Sequence, residues 1–138
     1  MKFLDANVLI YAYTKPKREL TKDEKKIKKK AKEIVGRVNK GERVFTTLIH
    51  LSEVVNILEK AAPIAAISKL LRGILSMDNV KVLDVSREDY LAAADVAPTQ
   101  GIGVNDALAV IKMRGAGLSE IYSFDKHFDV IEGIARSE

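Results

Sequence analysis

The sequence predicts an α/β fold, in which helices cover both faces of a central, mainly parallel sheet of four to five strands. One pattern in the sequence predicts it. Short apolar segments alternate along the chain with longer segments whose apolar residues recur at helical spacing. Such alternation is typical of parallel strands joined by helices. The length of 138 residues, with no internal repeat and no Ser/Gly-rich linker, predicts a single domain over residues 1–138.

The predicted elements of the first half are a strand at 2–4, helices at 8–13 and 21–39, a strand at 43–46 and a helix at 47–61. Pro16 separates the first two helices, because proline disfavours helical backbone in the residue before it. Thr21 and Glu24 form a capping-box pattern, which predicts where the second helix begins. The apolar residues of this helix lie on one stripe, at Ile27, Ala31, Ile34, Val35 and Val38.

The predicted elements of the second half are a helix at 63–75, a strand at 80–85, helices at 87–97 and 104–114, a strand at 120–123 and a short last strand at 130–131. Pro63 suits the first turn of a helix. Ser86 and Asp89 resemble a further N-terminal cap. Gly115 and Gly117 end the helix that precedes the strand at 120–123.

The composition argues against several classes of protein. The chain has no cysteine, so neither a disulfide framework nor a thiolate zinc site is available. Its two histidines, His50 and His127, lack the spacing of zinc ligands. No segment has the ~20 apolar residues that a membrane-spanning helix needs. We therefore expect a cytoplasmic protein with no membrane partner.

Four acidic residues occupy positions that the predicted fold brings to one edge of the sheet. Asp5 closes the first strand, and Asp125 lies just past the fourth. Glu53 lies in the second turn of the helix after the second strand, and Asp106 lies in the first turn of a later helix. Ligands of such folds bind beyond the carboxyl ends of the strands. Clustered carboxylates there suit Mg²⁺ or Mn²⁺.

Most of these acids also have a purely structural explanation when each is taken alone. Asp5 can cap a helix, Asp106 can favour a helix dipole, and Asp125 and Asp129 can be turn residues. Glu53 is harder to explain, because its helix neighbours are apolar and a carboxylate there is costly unless it is paired or metal-bound. Taken together, the four acids favour a metal site.

The segments that contain these acids resemble the motifs of a PIN domain of the kind found in VapC-type toxins. The four motifs follow in order, at normal spacing, over nearly the whole chain. They are Phe3-Leu4-Asp5-Ala6-Asn7-Val8-Leu9-Ile10, Thr46-Thr47 with Ser52-Glu53-Val54, Val104-Asn105-Asp106-Ala107-Leu108-Ala109, and Ser123-Phe124-Asp125-Lys126-His127-Phe128-Asp129. The resemblance implies a three-layer α/β/α sandwich of the PIN type.

The resemblance also implies roles for the acids. Asp5, Glu53, Asp106 and Asp125 would form a catalytic tetrad that binds Mg²⁺ or Mn²⁺. Asp5 and Asp106 would be the closest metal ligands, while Glu53 and Asp125 would act partly through water. Asp129 would be an additional or substitute acid.

Two neighbouring polar residues would support the tetrad. By the same resemblance, Asn7 and Ser123 would orient carboxylates or contact a phosphate oxygen, although local backbone capping explains them about equally well. The metal would activate a water for in-line attack and stabilise charge on the phosphoryl oxygens. No histidine is expected among the functional residues of these motifs, so a histidine-driven ribonuclease is disfavoured.

The function that the resemblance implies is that of a hydrolase, a metal-dependent endoribonuclease that cuts single-stranded RNA and leaves a 5′-phosphate. The resemblance favours the toxin of a type II toxin–antitoxin pair, with an antitoxin protein as partner and a homodimer as the assembly.

A housekeeping RNA-processing nuclease is the nearest alternative, because fold alone does not set the target. A non-catalytic RNA- or protein-binding module is disfavoured by the complete tetrad. A haloacid-dehalogenase-type phosphatase is disfavoured because Ala6 and Asn7, not a second aspartate, follow Asp5.

The net charge of +4 is unevenly distributed. Residues 15–32, here called the basic arm, carry ten Lys/Arg and three Asp/Glu, a balance of +7, which leaves −3 on the rest of the chain. The basic arm can attract RNA phosphates, and Lys15, Lys17 and Arg18 are the expected contacts. The alternatives are an ordinary solvated helix face or a surface for an acidic partner. The Ala/Ile/Leu-rich stretch at 61–75 is either core or a dimer face.

Overall fold

The computed structural model describes all 138 residues, and its sheet has the predicted parallel character. The five strands are β1 (Lys2–Leu4), β2 (Val44–Thr47), β3 (Val80–Leu83), β4 (Glu120–Tyr122) and β5 (Ala135–Ser137). Every pair of neighbouring strands is parallel, in the spatial order β3-β2-β1-β4-β5. The carboxyl ends of all five strands therefore lie at one edge of the sheet.

Six α-helices flank this sheet, and a short 3₁₀ helix at Lys126–Val130 precedes β5. The α-helices are α1 (Ala6–Tyr13), α2 (Lys22–Asn39), α3 (Leu48–Leu58), α4 (Ile64–Leu75), α5 (Arg87–Gln100) and α6 (Val104–Gly115). None of them combines the length and the apolar character that crossing a lipid bilayer requires.

The helices are divided between two apolar cores, one on each face of the sheet. In β1, Leu4 belongs to one core and Phe3 to the other, because successive side chains of a strand point to opposite faces. Helices α1 to α4 pack on the Leu4 face, and α5, α6 and the 3₁₀ helix pack on the Phe3 face. The predicted three-layer α/β/α arrangement is confirmed.

Both predicted capping patterns are present and locate the starts of two helices. The backbone N–H of Glu24 donates to Thr21 Oγ1 (3.2 Å), and the Glu24 carboxylate accepts from the Thr21 N–H (3.4 Å). Ser86 and Asp89 form the same reciprocal pair, with both distances 3.0 Å. Helices α2 and α5 therefore begin where the sequence predicts.

The prediction of a last strand at 130–131 is wrong. Val130 ends the 3₁₀ helix and is 76% exposed, whereas Ile131 is buried against the Phe3-face core. The last strand is β5, whose residues are exposed or half-buried because it lies at the edge of the sheet. A strand at the edge of the sheet is partly exposed and needs no run of apolar residues. The apolar run that identifies the inner strands in the sequence is therefore absent from β5.

The helices of the Leu4 face enclose a groove of about 820 Å³ between the end of α1 and helices α2, α3 and α4. Its walls are largely apolar, and Lys15 and Lys17 of the basic arm also line it. The stretch at 61–75 is partly core and partly surface: Ile67 and Ile74 are buried, while Ile64 is 78% exposed.

Candidate metal centre

The four acids of the predicted tetrad lie together at the carboxyl edge of the sheet. Asp5 directly follows β1, Asp125 follows β4 by three residues, and Glu53 and Asp106 lie near the starts of α3 and α6. Their charges act on one another. The negative charges of Glu53 and Asp125 raise the pKa of Asp5, and those of Asp5, Asp125 and Glu53 raise the pKa of Asp106.

Asp5 is the most buried of these acids, with 3% of its surface exposed. Burial raises its pKa from the ordinary 3.8 to about 6, and a hydrogen bond from Ser123 offsets part of the rise. Asp5 occupies the N-cap position of α1, but its side chain makes no capping hydrogen bond. Helix capping therefore does not account for this carboxylate.

The pKa of Asp106 is also raised above its usual range. Burial is the largest cause, followed by the charges of Asp5 and Asp125, a hydrogen bond with the Asp125 carboxyl group and the charge of Glu53. These carboxylates repel one another in a partly dehydrated environment, so at neutral pH they favour a bound proton or a cation.

A polar network holds Asp5 and the turn after β4 together. Ser123 is fully buried, and its hydroxyl donates to Asp5 Oδ2 at 2.7 Å. Ser123 Oγ in turn accepts from the Asp125 N–H (3.0 Å) and from Asn7 Nδ2 (3.2 Å). Asn7 Oδ1 in turn accepts from the Phe124 N–H (3.4 Å). Ser123 thus orients a carboxylate and caps a turn at the same time.

We predict that Ser123→Ala destabilises the metal-free protein by about 1–2 kcal/mol, because it removes the only side-chain donor to the buried Asp5 carboxylate. Removing that donor should also raise the pKa of Asp5 further. Urea unfolding in EDTA tests this, with Ser68→Ala on the exposed side of α4 as the matched control. Equal stability of Ser123→Ala and the wild type would show that the hydrogen bond to Asp5 contributes nothing.

His127 is a neighbour of the acids that sequence reasoning did not select. Asp125 Oδ1 accepts from the His127 backbone N–H at 2.9 Å and lies 3.0 Å from His127 Nδ1. Ligand atoms of Asp106, Asp125 and His127 all lie within 4.8 Å of one another. The sequence signal for His127 is its position two residues after Asp125, which the spacing between the two histidines does not reveal.

His50 is a second residue whose role the sequence did not indicate, and it packs behind the residues that carry the acids. Its ring is fully buried, with Nε2 3.1 Å from the Asn105 carbonyl and Nδ1 2.7 Å from Thr47 Oγ1. The carbonyl contact places the proton on Nε2, so Nδ1 accepts from the Thr47 hydroxyl. Burial lowers the pKa of His50 to about 4, which keeps the ring neutral. His50 thereby ties the start of α3 to the residue before Asp106.

Residues 2–134 of the chain match the family model of the PIN domain. The chain belongs to the PIN-domain family. Three solved structures with a similar fold are given below. The numbers after each are its sequence identity to this chain, the TM-score, and the shares of this chain and of the other chain that the alignment covers. The structures are Mycobacterium tuberculosis VapC20, a sarcin–ricin loop cleaving toxin (19%, 0.70, 91% and 91%), a toxin–antitoxin complex from Klebsiella pneumoniae (14%, 0.66, 98% and 96%), and Rickettsia felis VapBC2 bound to a DNA fragment from their promoter (16%, 0.65, 99% and 96%). No curated protein sequence matches the chain at a significant level.

The acid cluster of this PIN domain fits a divalent cation on chemical grounds. Carboxylate oxygens are the preferred ligands of Mg²⁺ and Mn²⁺. Burial and mutual repulsion raise the pKa values of Asp5 and Asp106, and a bound cation would offset both effects. The residues that would hold it are those whose carboxylates converge here, and His127 would add an imidazole nitrogen.

Four other residues predicted from the sequence lie outside the acid cluster. The Asp129 carboxylate accepts from Arg136 Nε (2.8 Å) and a terminal guanidinium nitrogen (3.2 Å), and this pairing lowers its pKa. Arg18 pairs with Glu24 at 2.7 Å on the surface. Lys15 and Lys17 line the apolar groove and make no ion pair with the acids.

Proposed function

We propose that this PIN domain is a metal-dependent endoribonuclease that hydrolyses phosphodiester bonds of single-stranded RNA, and that it is the toxin of a toxin–antitoxin pair. The observation that carries the proposal is the convergence of Asp5, Glu53, Asp106 and Asp125 at the carboxyl edge of the sheet, two of them with raised pKa values. Membership of a family of nucleases supports it. The shared fold with a toxin described as cleaving the sarcin–ricin loop is consistent with it.

The residues have distinct parts in the proposed reaction. A Mg²⁺ or Mn²⁺ ion at the site would stabilise the negative charge that develops on the phosphoryl oxygens. Asp5 and Asp106 would hold the ion, and Ser123 keeps the Asp5 carboxylate in one orientation. Glu53 and Asp125 would orient the attacking water and accept its proton. In-line attack with departure of the 3′-oxygen leaves the phosphate on the 5′ end.

The direct test of this proposal is incubation of the purified protein with single-stranded RNAs in Mg²⁺ or Mn²⁺, beside an EDTA control. Mass spectrometry of the preparation first establishes that no inhibitor protein is bound. We expect cleavage that requires the metal and gives products ligatable through a 5′-phosphate. Cleavage that persists in EDTA, or products with a 2′,3′-cyclic phosphate, would contradict the proposed chemistry.

A negatively charged site needs positive charge nearby to attract RNA, and the basic arm is the largest concentration of positive charge in the sequence. The eight residues of α1 separate it from Asp5, about 12 Å along the helix axis. We propose that Lys15, Lys17 and Arg18 contact RNA phosphates on the approach to the acids. Replacing the three by Gln should reduce the dependence of RNA affinity on salt concentration, since fewer counterions are released. An unchanged salt slope would assign the arm to another partner.

An antitoxin is the protein partner that this proposal requires. The comparison structures include a complex of a toxin with its antitoxin. The same reasoning leads us to propose that this chain also binds an antitoxin protein. Co-expression with the product of an adjacent small gene and joint purification would test this, and an active nuclease with no such partner would favour a housekeeping role in RNA processing.

We also predict a homodimer in solution, for which the exposed apolar residues of α4 and its flanks are suited. Ile64, at the start of α4, is 78% exposed, and Leu75, at its end, is 49% exposed, so both side chains are available to an interface. Light scattering at micromolar concentration should give twice the monomer mass of 15.3 kDa. Ile64→Lys should shift that mass towards the monomer, and a monomeric wild type would refute the prediction.

A further inference from the structure

A cleft of about 360 Å³ opens beside two of the acids. It is lined by Glu53, Tyr90, Gly103, Val104, Asn105 and Asp106. The carboxylates of Glu53 and Asp106 give one part of the cleft its negative charge. Tyr90 and Val104, each 40% exposed, give the rest an apolar surface. Nothing in the catalytic chemistry proposed above requires an exposed aromatic ring at this position.

The ring of Tyr90 is fixed relative to the acids by a chain of hydrogen bonds. The Tyr90 hydroxyl donates to Asn105 Oδ1 at 2.7 Å, and Asn105 directly precedes Asp106. The Asn105 carbonyl accepts from the buried His50 ring at 3.1 Å, which anchors this turn to α3. A ring that is already held in place loses little conformational freedom when a ligand stacks on it.

We infer that Tyr90 is a stacking platform for one RNA base adjacent to the phosphate at the acids, an inference that rests on the proposed nuclease function. Unpaired bases of single-stranded RNA are commonly bound by stacking on aromatic side chains. The cleft is lined both by an aromatic ring and by two of the acids, so a base and its neighbouring phosphate could be bound in one opening. Because Asn105 Oδ1 is occupied by Tyr90, the Asn105 amide nitrogen is left as a donor for a base oxygen or nitrogen.

The test measures RNA binding in an Asp5→Asn background, which cannot turn over the probe. The probe is a fluorescent single-stranded RNA of mixed sequence, about ten nucleotides long, in Mg²⁺. Adding Tyr90→Leu should weaken binding roughly 10-fold, the usual effect of removing one stacked base. Tyr90→Phe keeps the ring and should change affinity by less than about 3-fold, on the same scale. Leu91→Ala, an exposed neighbour on α5, is the matched control.

A series of RNAs with one abasic position each separates stacking from a structural effect. One abasic position should reproduce the loss caused by Tyr90→Leu, and Tyr90→Leu should add nothing with that RNA. Tyr90→Leu binding as tightly as its parent, or an equal loss with every abasic RNA, would overturn the inference. Metal-dependent cleavage by the wild type, measured in parallel, decides the nuclease proposal separately. If the wild type cleaves RNA and Tyr90→Leu does not weaken RNA binding, only the stacking site is refuted and the nuclease proposal stands.

Discussion

Asp106→Asn should lower the rate of RNA cleavage by at least about 100-fold while leaving the fold unchanged, because metal-assisted stabilisation of the transition state contributes several kcal/mol. The charges of the other three acids all raise the pKa of Asp106, so neutralising its carboxylate changes the electrostatics of the whole cluster. The substitution keeps the shape of the side chain and removes one ligand charge. Initial rates in saturating Mn²⁺ measure the effect.

The control for this variant is Asp95→Asn, which makes the same substitution at an exposed position of α5. It should retain the wild-type rate. Asp129→Asn adds a second comparison, since Asp129 is bound by Arg136 and does not join the acid cluster. A rate for Asp106→Asn within about 3-fold of wild type would correspond to under 1 kcal/mol and would remove Asp106 from the proposed catalytic group.

Asp5→Asn should stabilise the metal-free protein by about 2–3 kcal/mol at pH 7.5. Burial raises the pKa of Asp5 from 3.8 to about 6, so the folded state prefers the protonated, uncharged side chain. As pH rises from about 4 through 6, the unfolded chain ionises Asp5 first, and the wild type loses stability. Asparagine carries no charge at any pH, so the variant avoids this loss.

Urea unfolding in EDTA at pH 7.5 and at pH 4 measures the effect of Asp5→Asn. The stabilisation should be fully present above pH 6 and should disappear towards pH 4, where Asp5 is protonated in both states. Saturating Mg²⁺ at pH 7.5 should reverse the order, because the cation stabilises only the protein that retains its ligand. A variant less stable than wild type at pH 7.5 in EDTA would contradict the claim that burying the charged Asp5 carboxylate destabilises the metal-free protein.

Much of the fold and of the acid cluster could be predicted from the sequence, because the relevant signals are local. The Thr21–Glu24 and Ser86–Asp89 pairs locate two helix starts without reference to the rest of the chain. Asp5 stands out because it ends an apolar strand. Parallel strands have their carboxyl ends at one edge, so a residue that follows one strand is necessarily near residues that follow its neighbours.

The features that were missed depend on contacts between distant elements. The His50 ring contacts the carbonyl of Asn105 in α6, and no spacing in the sequence indicates that these two residues meet. Likewise, the pairing of Asp129 with Arg136 follows from how the last 3₁₀ helix and β5 lie beside each other. β5 itself lacks an apolar run because it lies at an edge of the sheet.

We propose above all that the carboxylates at the strand ends form a divalent-metal site. Crystals grown in Mn²⁺ test it most directly, through the anomalous scattering of the bound ion. We predict an anomalous peak among the carboxylates of Asp5, Asp106 and Asp125. The absence of a peak there, at a Mn²⁺ concentration that supports RNA cleavage, would contradict the claim.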